Sequence, residues 1–168
     1  MEVDLQSTVC YLDLGNLWKF LQNIKPQNVL VSLSLFIIQL SDDVNPVVFQ
    51  VSSPPPRIKH LHLGSVPKNE ILFSSVVNIL LSSCCPATIS LNVHPYFCSK
   101  AFIEFFYDKL MERKGDDCFC SSSDAKCWWH GLKDVKIRSS MKIEEEVDLK
   151  TMLESYPFGE NINFMLEF

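Results

Sequence analysis

The chain has 168 residues, of which 47% are apolar, and its formal net charge is −5. A chain of this length buries roughly two thirds of its unfolded surface on folding, so we expect a continuous core rather than disorder throughout. The mild acidity offers no basic stripe of the kind that nucleic acid requires, and nucleic-acid binding is disfavoured. Residues 1–168 are predicted to form a single domain.

The cysteine content and the start of the chain indicate a reducing compartment. There are seven cysteines, an odd number, and Met1 to Asp4 is acidic where a secretory signal would be basic. The most apolar run, Val29 to Leu40, contains serines and a glutamine. It falls short of the roughly twenty residues of a membrane span. We therefore expect a cytoplasmic or nuclear protein with no membrane partner.

The first third of the chain is the least regular. Residues 1–11 show no hydrophobic period and are predicted to fray. A short helix should begin at the N-cap Asn16 and end near Ile24, before a strand over Val29 to Ile38. Ser41 to Pro56 lacks a helical pattern, so this connection is expected to depart from the units that follow.

One strand pattern, L-x-x-L-x-L, organises the chain. Its clearest copy lies in Arg57 to Gly64, where His60 and His62 should point away from the leucines because strand side chains alternate. The five copies are Leu30/Leu33/Leu35, Ile58/Leu61/Leu63, Pro86/Ile89/Leu91, Leu132/Val135/Ile137 and Asn161/Phe164/Leu166. Consecutive copies start about 28 residues apart except for one interval of about 46, which is the signature of a repeat protein.

Between the strands lie helical patterns with an apolar quartet at i, i+3, i+4 and i+7. The quartets are Leu17/Phe20/Leu21/Ile24, Phe73/Val76/Val77/Leu80, Ile103/Phe106/Tyr107/Leu110 and Leu149/Met152/Leu153/Tyr156. The third unit exceeds the template by about sixteen residues. We assign this excess to a polar, cysteine-containing insert over Met111 to Trp129.

Repeated strand and helix units favour an α/β fold, specifically a leucine-rich-repeat-like open solenoid. A strand, a helix and a parallel strand in one sheet require a right-handed crossover, so repetition gives a curved parallel sheet with helices on the outer face. We predict about five strands and four helices. The last strand, Asn161 to Phe168, is apolar and needs a covered edge.

Polar residues opposite the leucines are predicted to form a concave ladder that binds a partner. The ladder residues are His60, His62, Thr88, Ser90, Asn92, Asp134, Lys136 and Arg138. Its flanks are Ser32, Ser34 and Phe36 on the first strand and Asn163, Met165 and Glu167 on the last. Two histidines on one strand face also resemble metal ligands, but without a third ligand in sequence a polar ladder is favoured.

The insert carries the other candidate metal site. Cys118, Cys120, Cys127 and His130 offer four ligands within about thirteen residues, a set that zinc binds tetrahedrally. The first spacing is shorter than usual, so free thiols in an exposed loop are the leading interpretation and no cofactor is predicted. A small zinc-stabilised binding domain is the alternative.

No motif supports an enzyme. The chain lacks a Gly-rich phosphate loop, a His-Glu-x-x-His pair and a Gly-x-Ser-x-Gly elbow. Cys98 near His94 and Cys127 near His130 lack an orienting third group and an oxyanion site, so a thiol enzyme is the least favoured class. We predict a noncatalytic protein.

Three segments resemble the C-terminal part of plant F-box/leucine-rich-repeat proteins of the FBD-like kind. They are Phe73 to Pro86, Phe102 to Leu110 and above all Cys127 to Ile137, where a Leu-Lys-x-Val strand follows a Cys-Trp segment. The resemblance covers most of Pro54 to Ile137 and, more loosely, Leu17 to Ile37.

The resemblance implies an intracellular substrate-recognition arm of an F-box-type (SCF) ubiquitin ligase receptor, or a truncated relative of one. Family members recruit the ligase adaptor and cullin through an N-terminal F-box. No F-box-like helical module precedes the first repeat in this sequence, so adaptor and cullin are expected partners only through a missing F-box or a paralogue. The protein target is not specified by ladder residues alone.

Overall fold

The computed structural model describes residues 8–12, 14–24, 30–37, 55–112, 128–139 and 148–168. Its strands are β1 (Thr8–Leu12), β2 (Leu30–Ile37), β3 (Arg57–Ser65), β4 (Cys85–Asn92), β5 (Asp134–Ser139) and β6 (Asn161–Glu167). Its helices are α1 (Leu14–Asn23), α2 (Phe73–Ser83), α3 (Lys100–Met111) and α4 (Leu149–Ser155). Two 3-10 segments, Glu70–Leu72 and Trp128–Gly131, precede α2 and β5. The predicted α/β class and the four helices are confirmed.

The six strands form one mixed sheet in the order β1-β2-β3-β4-β6-β5. β1 to β4 are parallel, whereas β6 lies antiparallel between β4 and β5. All five predicted frames are strands, but the prediction of a purely parallel sheet is wrong. The reason is the apolar character of β6, in which Ile162, Phe164 and Leu166 are buried. Between β4 and β5, both edges of this strand form backbone hydrogen bonds and neither is left open.

The N-terminal prediction also needs correction. Thr8 to Tyr11 belongs to β1, which pairs in parallel with β2, whereas residues 1–11 were expected to fray. The strand is stabilised by backbone hydrogen bonds to β2, and no local pattern in residues 8–12 predicts this pairing. Helix α1 begins at Leu14, so Asn16 lies inside its first turn and is not the N-cap.

Burial along β3 and β4 shows the strand frame directly. On β3, Ile58, Leu61 and Leu63 are buried, while Lys59 is exposed and His60 and His62 are half-buried. The buried positions are therefore three residues apart from Ile58 to Leu61 and two residues apart from Leu61 to Leu63. Frames on neighbouring strands stack in register, so that Leu33, Leu61 and Ile89 are successive partners across the sheet.

The core lies between the leucine face of the sheet and a layer formed by the four helices, which neighbour one another in chain order. Aromatic contacts occur within the helix layer and between the layers: the ring centroids of Phe73 on α2 and Phe102 on α3 are 5.1 Å apart, and those of Phe106 on α3 and Phe164 on β6 are 5.9 Å apart. None of the helices in these ranges is long and apolar enough to cross a membrane. The opposite face of the sheet carries the predicted ladder.

Side-chain caps begin two of the helices. The Ser99 side chain accepts a hydrogen bond from Phe102 N at the start of α3, and the Asp148 carboxylate accepts one from Thr151 N at the start of α4. The carboxylate hydrogen bonds from Thr151 lower the pKa of Asp148. A short polar side chain at these positions satisfies donors that the helix itself leaves unpaired.

Candidate functional site

The polar face is the face of the sheet opposite the leucines, and strand register sorts its residues into two rows. The His60 row is Ser32, His60, Thr88, Met165 and Lys136. The His62 row is Ser34, His62, Ser90, Asn163 and Arg138. These rows contain six of the eight predicted ladder residues. Asp134 is a seventh residue on this face, because it pairs with Glu167 of β6. The eighth, Asn92, pairs with Asn161 at the end of β4.

Two histidines and two hydroxyls form a hydrogen-bonded network at the centre of the face. His60 Nδ1 lies 2.7 Å from Thr88 Oγ1, and His60 Nε2 lies 2.9 Å from Ser90 Oγ. His62 Nδ1 lies 2.9 Å from the same Ser90 oxygen. Thr88 Oγ1 also donates to the carbonyl oxygen of Lys59 at 3.1 Å.

These contacts determine where the protons lie, because a hydroxyl has one proton to donate. The Thr88 proton goes to Lys59 O, so Thr88 accepts from His60 Nδ1–H. Neutral His60 then accepts at Nε2 from the Ser90 hydroxyl. With the Ser90 proton used, His62 Nδ1–H must donate to Ser90. One strand carbonyl therefore fixes both tautomers and leaves His62 Nε2 as the acceptor.

Burial lowers the pKa of His62, and the neighbouring His60 lowers it further, while a hydrogen bond with the backbone of Ser90 opposes the change. A histidine with a lowered pKa is uncharged at neutral pH. His62 is therefore in its neutral form in this network at neutral pH.

The same hydrogen bonds limit the ability of His60 and His62 to bind a metal ion. Both ring nitrogens of His60 are engaged, and the described residues bring no group of three or more potential ligands together. Of the second candidate set, Cys118, Cys120 and Cys127 lie outside the described residues. His130 is half-buried, with its ring edge-on to Trp129 at 5.6 Å. Zinc binding there stays an untested alternative to free thiols.

The β5 end of the face carries charge. Lys136 Nζ pairs with Glu167 Oε1, and this hydrogen bond raises the pKa of Lys136. Asp134 Oδ1 accepts from the backbone N of Val135 at 2.8 Å. The exposed Arg138 makes no hydrogen bond or ion pair to any residue that the structure describes. Among the described residues, none therefore occupies a donor of Arg138.

The polar face also contains features that sequence reasoning missed. A Cβ at Gly64 would overlap the ring of Phe36, so this ring lies directly over the glycine, with its edge toward His62 at 6.5 Å between centroids. The ring sits at an irregularity between Leu35 and Phe36 in the pairing with β3. The glycine after the leucine frame was the available signal, because a missing side chain permits close approach.

The environment of the predicted ladder residue Asn92 is the other feature that was not foreseen. Its Oδ1 is buried without a hydrogen-bond partner among the described residues. Register places Asn161 beside it, and the sequence pattern had assigned Asn161 to the apolar frame. The insertion of β6 beside β4 makes these two residues neighbours.

The described thiols have the properties of packing groups. Burial raises the pKa of Cys84 to about 12 and that of Cys98 to about 12. Burial also raises the pKa of Cys85, against an opposing effect of Arg57. Reactive cysteines need the opposite shift, since the thiolate is the nucleophile. His94 stacks on Phe97 at 4.7 Å rather than on a thiol.

Comparison with known proteins gives no match: no family model, no curated protein and no solved structure is significantly similar to this chain. The candidate site therefore rests on the geometry of the polar face.

Proposed function

We propose that the chain is a noncatalytic protein-interaction module whose partner binds across the polar face. The observation that carries this proposal is the hydrogen-bonded network of His60, His62, Thr88 and Ser90. It holds polar side chains of two strands in one fixed arrangement. These side chains lie on the face of the sheet opposite the described helices. A surface whose side chains are already ordered loses less conformational entropy on binding.

The finer proposal is that this module is the substrate-recognition part of an F-box-type ubiquitin ligase receptor, built as a leucine-rich-repeat solenoid. Stacked frames on β2, β3 and β4 support the repeat proposal. The segments that resemble the family coincide with α2 and the start of β4, with α3, and with β5. The mechanism would be positioning, in which the polar face holds a target while another module recruits the transfer machinery.

Site-specific photo-crosslinking tests the binding face. A photoreactive phenylalanine replaces Met165, which lies in the His60 row, and as a matched control replaces exposed Lys150 on α4. Each tagged chain is irradiated in its native cells. Covalent adducts with a protein partner from position 165 and none from position 150 are expected. Adducts from position 150 alone would place the binding surface on the helix layer and contradict the proposal.

The ligase role has its own readout. The tagged chain is purified from the same cells and scored for the ligase adaptor and cullin. Recovery of both, from wild type and from the Met165 variant alike, is the expected result for a receptor part that acts with an F-box subunit. Partners at the polar face with neither ligase component would overturn the ligase role and leave the interaction module standing.

A further inference from the structure

The hydrogen-bonding capacity of the His62 row is unequally divided between donors and acceptors. Ser90 has its proton and its oxygen occupied by the two histidines. Asn163 and Arg138 make no side-chain hydrogen bond within the described part of the chain. Arg138 alone offers five N–H donors and Asn163 two more. The other hydrogen-bonding groups of the row are the Asn163 carbonyl, the lone pair on His62 Nε2 and the hydroxyl of Ser34, which can donate or accept.

Charge on this side of the face points the same way. The Glu167 carboxylate is paired with Lys136, which leaves Arg138 as a cation without an opposing charge in the described residues. Asp134 lies at the other end of β5, four residues from Arg138, which is roughly 13 Å along a strand. A ligand complementary to the Arg138 end must therefore be rich in acceptors and negatively charged.

The strand order sets the length of that ligand. His62 and Arg138 are separated by the intervals β3 to β4, β4 to β6 and β6 to β5. Three strand spacings amount to roughly 14 Å, and four residues of an extended peptide cover roughly the same distance. Side chains four residues apart in an extended chain also point to the same side. The two ends of the row therefore match side chains at positions i and i+4.

We propose that the His62 row binds an extended acidic segment of the protein partner, with one carboxylate on Arg138 and another, four residues away, on His62 after Nε2 takes up a proton from solvent. This inference rests on the proposed function and names the chemistry of its partner. Asn163, between the two anchors, has amide donors available for the backbone carbonyls of the segment.

The proton belongs on His62 because of what surrounds it. Neutral His62 presents a lone pair at Nε2, which repels a carboxylate, whereas both nitrogens of His60 are already bonded. The groups that face His62 from β2 are Ser34 and Phe36, and from β4 Ser90, all uncharged. On its own strand the titratable neighbour is His60. The charged groups of the face are Asp134, Lys136 and Arg138 on β5 and Glu167 on β6.

Binding should therefore depend on pH with a definite sign. Burial lowers the pKa of His62 in the free protein, and a bound carboxylate would raise it. Affinity is then greatest below the free pKa and falls as the pH rises through the bound pKa. Because one proton is taken up, the change cannot exceed about tenfold per pH unit.

The test uses the full chain, isotopically labelled for NMR, and short glycine-serine peptides with two glutamates. The glutamates are two, four or six residues apart, and control peptides carry glutamines instead. We expect the tightest binding at spacing four, no binding of the glutamine peptides, and shifts at His62, Asn163 and Arg138. Equal binding of glutamate and glutamine peptides, or no preference for spacing four, would overturn the proposal.

Variants separate the two anchors. Arg138→Ala should weaken binding of the spacing-four peptide about tenfold or more. His62→Gln should remove the pH dependence. The matched controls are Lys150→Ala, a lysine on the helix layer, and His94→Gln, a histidine outside the sheet face, and both should bind as wild type does. Unchanged pH dependence in His62→Gln, in a variant whose spectrum shows the native fold, would contradict the assignment.

Two further outcomes are decisive. A phosphoserine peptide that binds more than tenfold tighter than its glutamate counterpart would replace the carboxylate partner with a phosphorylated one and overturn the carboxylate assignment. If the glutamate peptides fail while position 165 still yields crosslinks in cells, the interaction face stands and the acidic partner falls. If both fail, the proposed function itself is wrong.

Discussion

His60 Nε2 accepts a hydrogen bond from the hydroxyl of Ser90 on the neighbouring strand, over 2.9 Å. The two residues are 30 positions apart in the chain. They are not register partners, because His60 pairs with Thr88 and His62 pairs with Ser90. This diagonal contact joins the His60 row to the His62 row, and through it the two histidines share one oxygen. Ser90 is consequently the residue on which the order of the polar face depends.

Ser90→Ala should destabilise the protein by about 1–3 kcal/mol, because it leaves His60 Nε2 and His62 Nδ1 without their common partner in a half-buried site. Urea denaturation followed by circular dichroism measures this change in the free energy of unfolding. Ser74→Ala on the exposed side of α2 is the control and should stay within about 0.5 kcal/mol of wild type. An equally small effect for both variants would contradict the network.

Gly64→Ala should cost about 1–3 kcal/mol, because the new methyl group overlaps the ring of Phe36. Removing the ring relieves the overlap, so the double variant Gly64→Ala/Phe36→Ala should be more stable than the two single changes added together. Gly131→Ala is the control, since its Cβ meets no described atom within 4 Å. Thermal denaturation of the four variants measures the difference. Strict additivity in the double variant would show that the ring does not lie over Gly64.

Local patterns predicted those parts of the fold that repeat. The leucine frame of β3 is set by residues near in sequence, and the burial of Ile58, Leu61 and Leu63 follows it. The caps Ser99 and Asp148 were likewise predictable, because a cap bonds within three residues of itself. Where the deciding contact is local, sequence chemistry was sufficient.

The order of the sheet depends on competition between distant segments, and there the sequence failed. β6 has the same frame as β3, yet it lies antiparallel between β4 and β5. A pattern of side chains specifies which face is buried but not which neighbour a strand takes. For the same reason the polar residues were foreseen, while the pairing of Asn163 with Ser90 and Arg138 was not.

Stability should fall as the solution is acidified. The folded pKa of His62 lies below its ordinary value because of burial and the neighbouring His60. The unfolded chain therefore binds this proton first, and stability is lost as the pH falls from about 7 through the folded pKa. Urea unfolding at a series of pH values measures the slope, and His62→Gln should reduce it. A slope unchanged by His62→Gln would assign the acid sensitivity to other groups.

Phe164→Ala tests how the last strand packs against the helix layer. Phe164 is fully buried, with its ring edge-on to Phe106 of α3 at 5.9 Å and stacked on Tyr107 at 6.2 Å. Its loss should leave a cavity that costs about 3–5 kcal/mol. Phe158→Ala is the matched control: this ring is exposed and lies under Lys100 Nζ at 5.2 Å, a contact that contributes about 0.5–1 kcal/mol. Denaturation midpoints of the two variants compare the costs. A cost for Phe164→Ala close to that of Phe158→Ala would contradict the burial of Phe164 between β6 and α3.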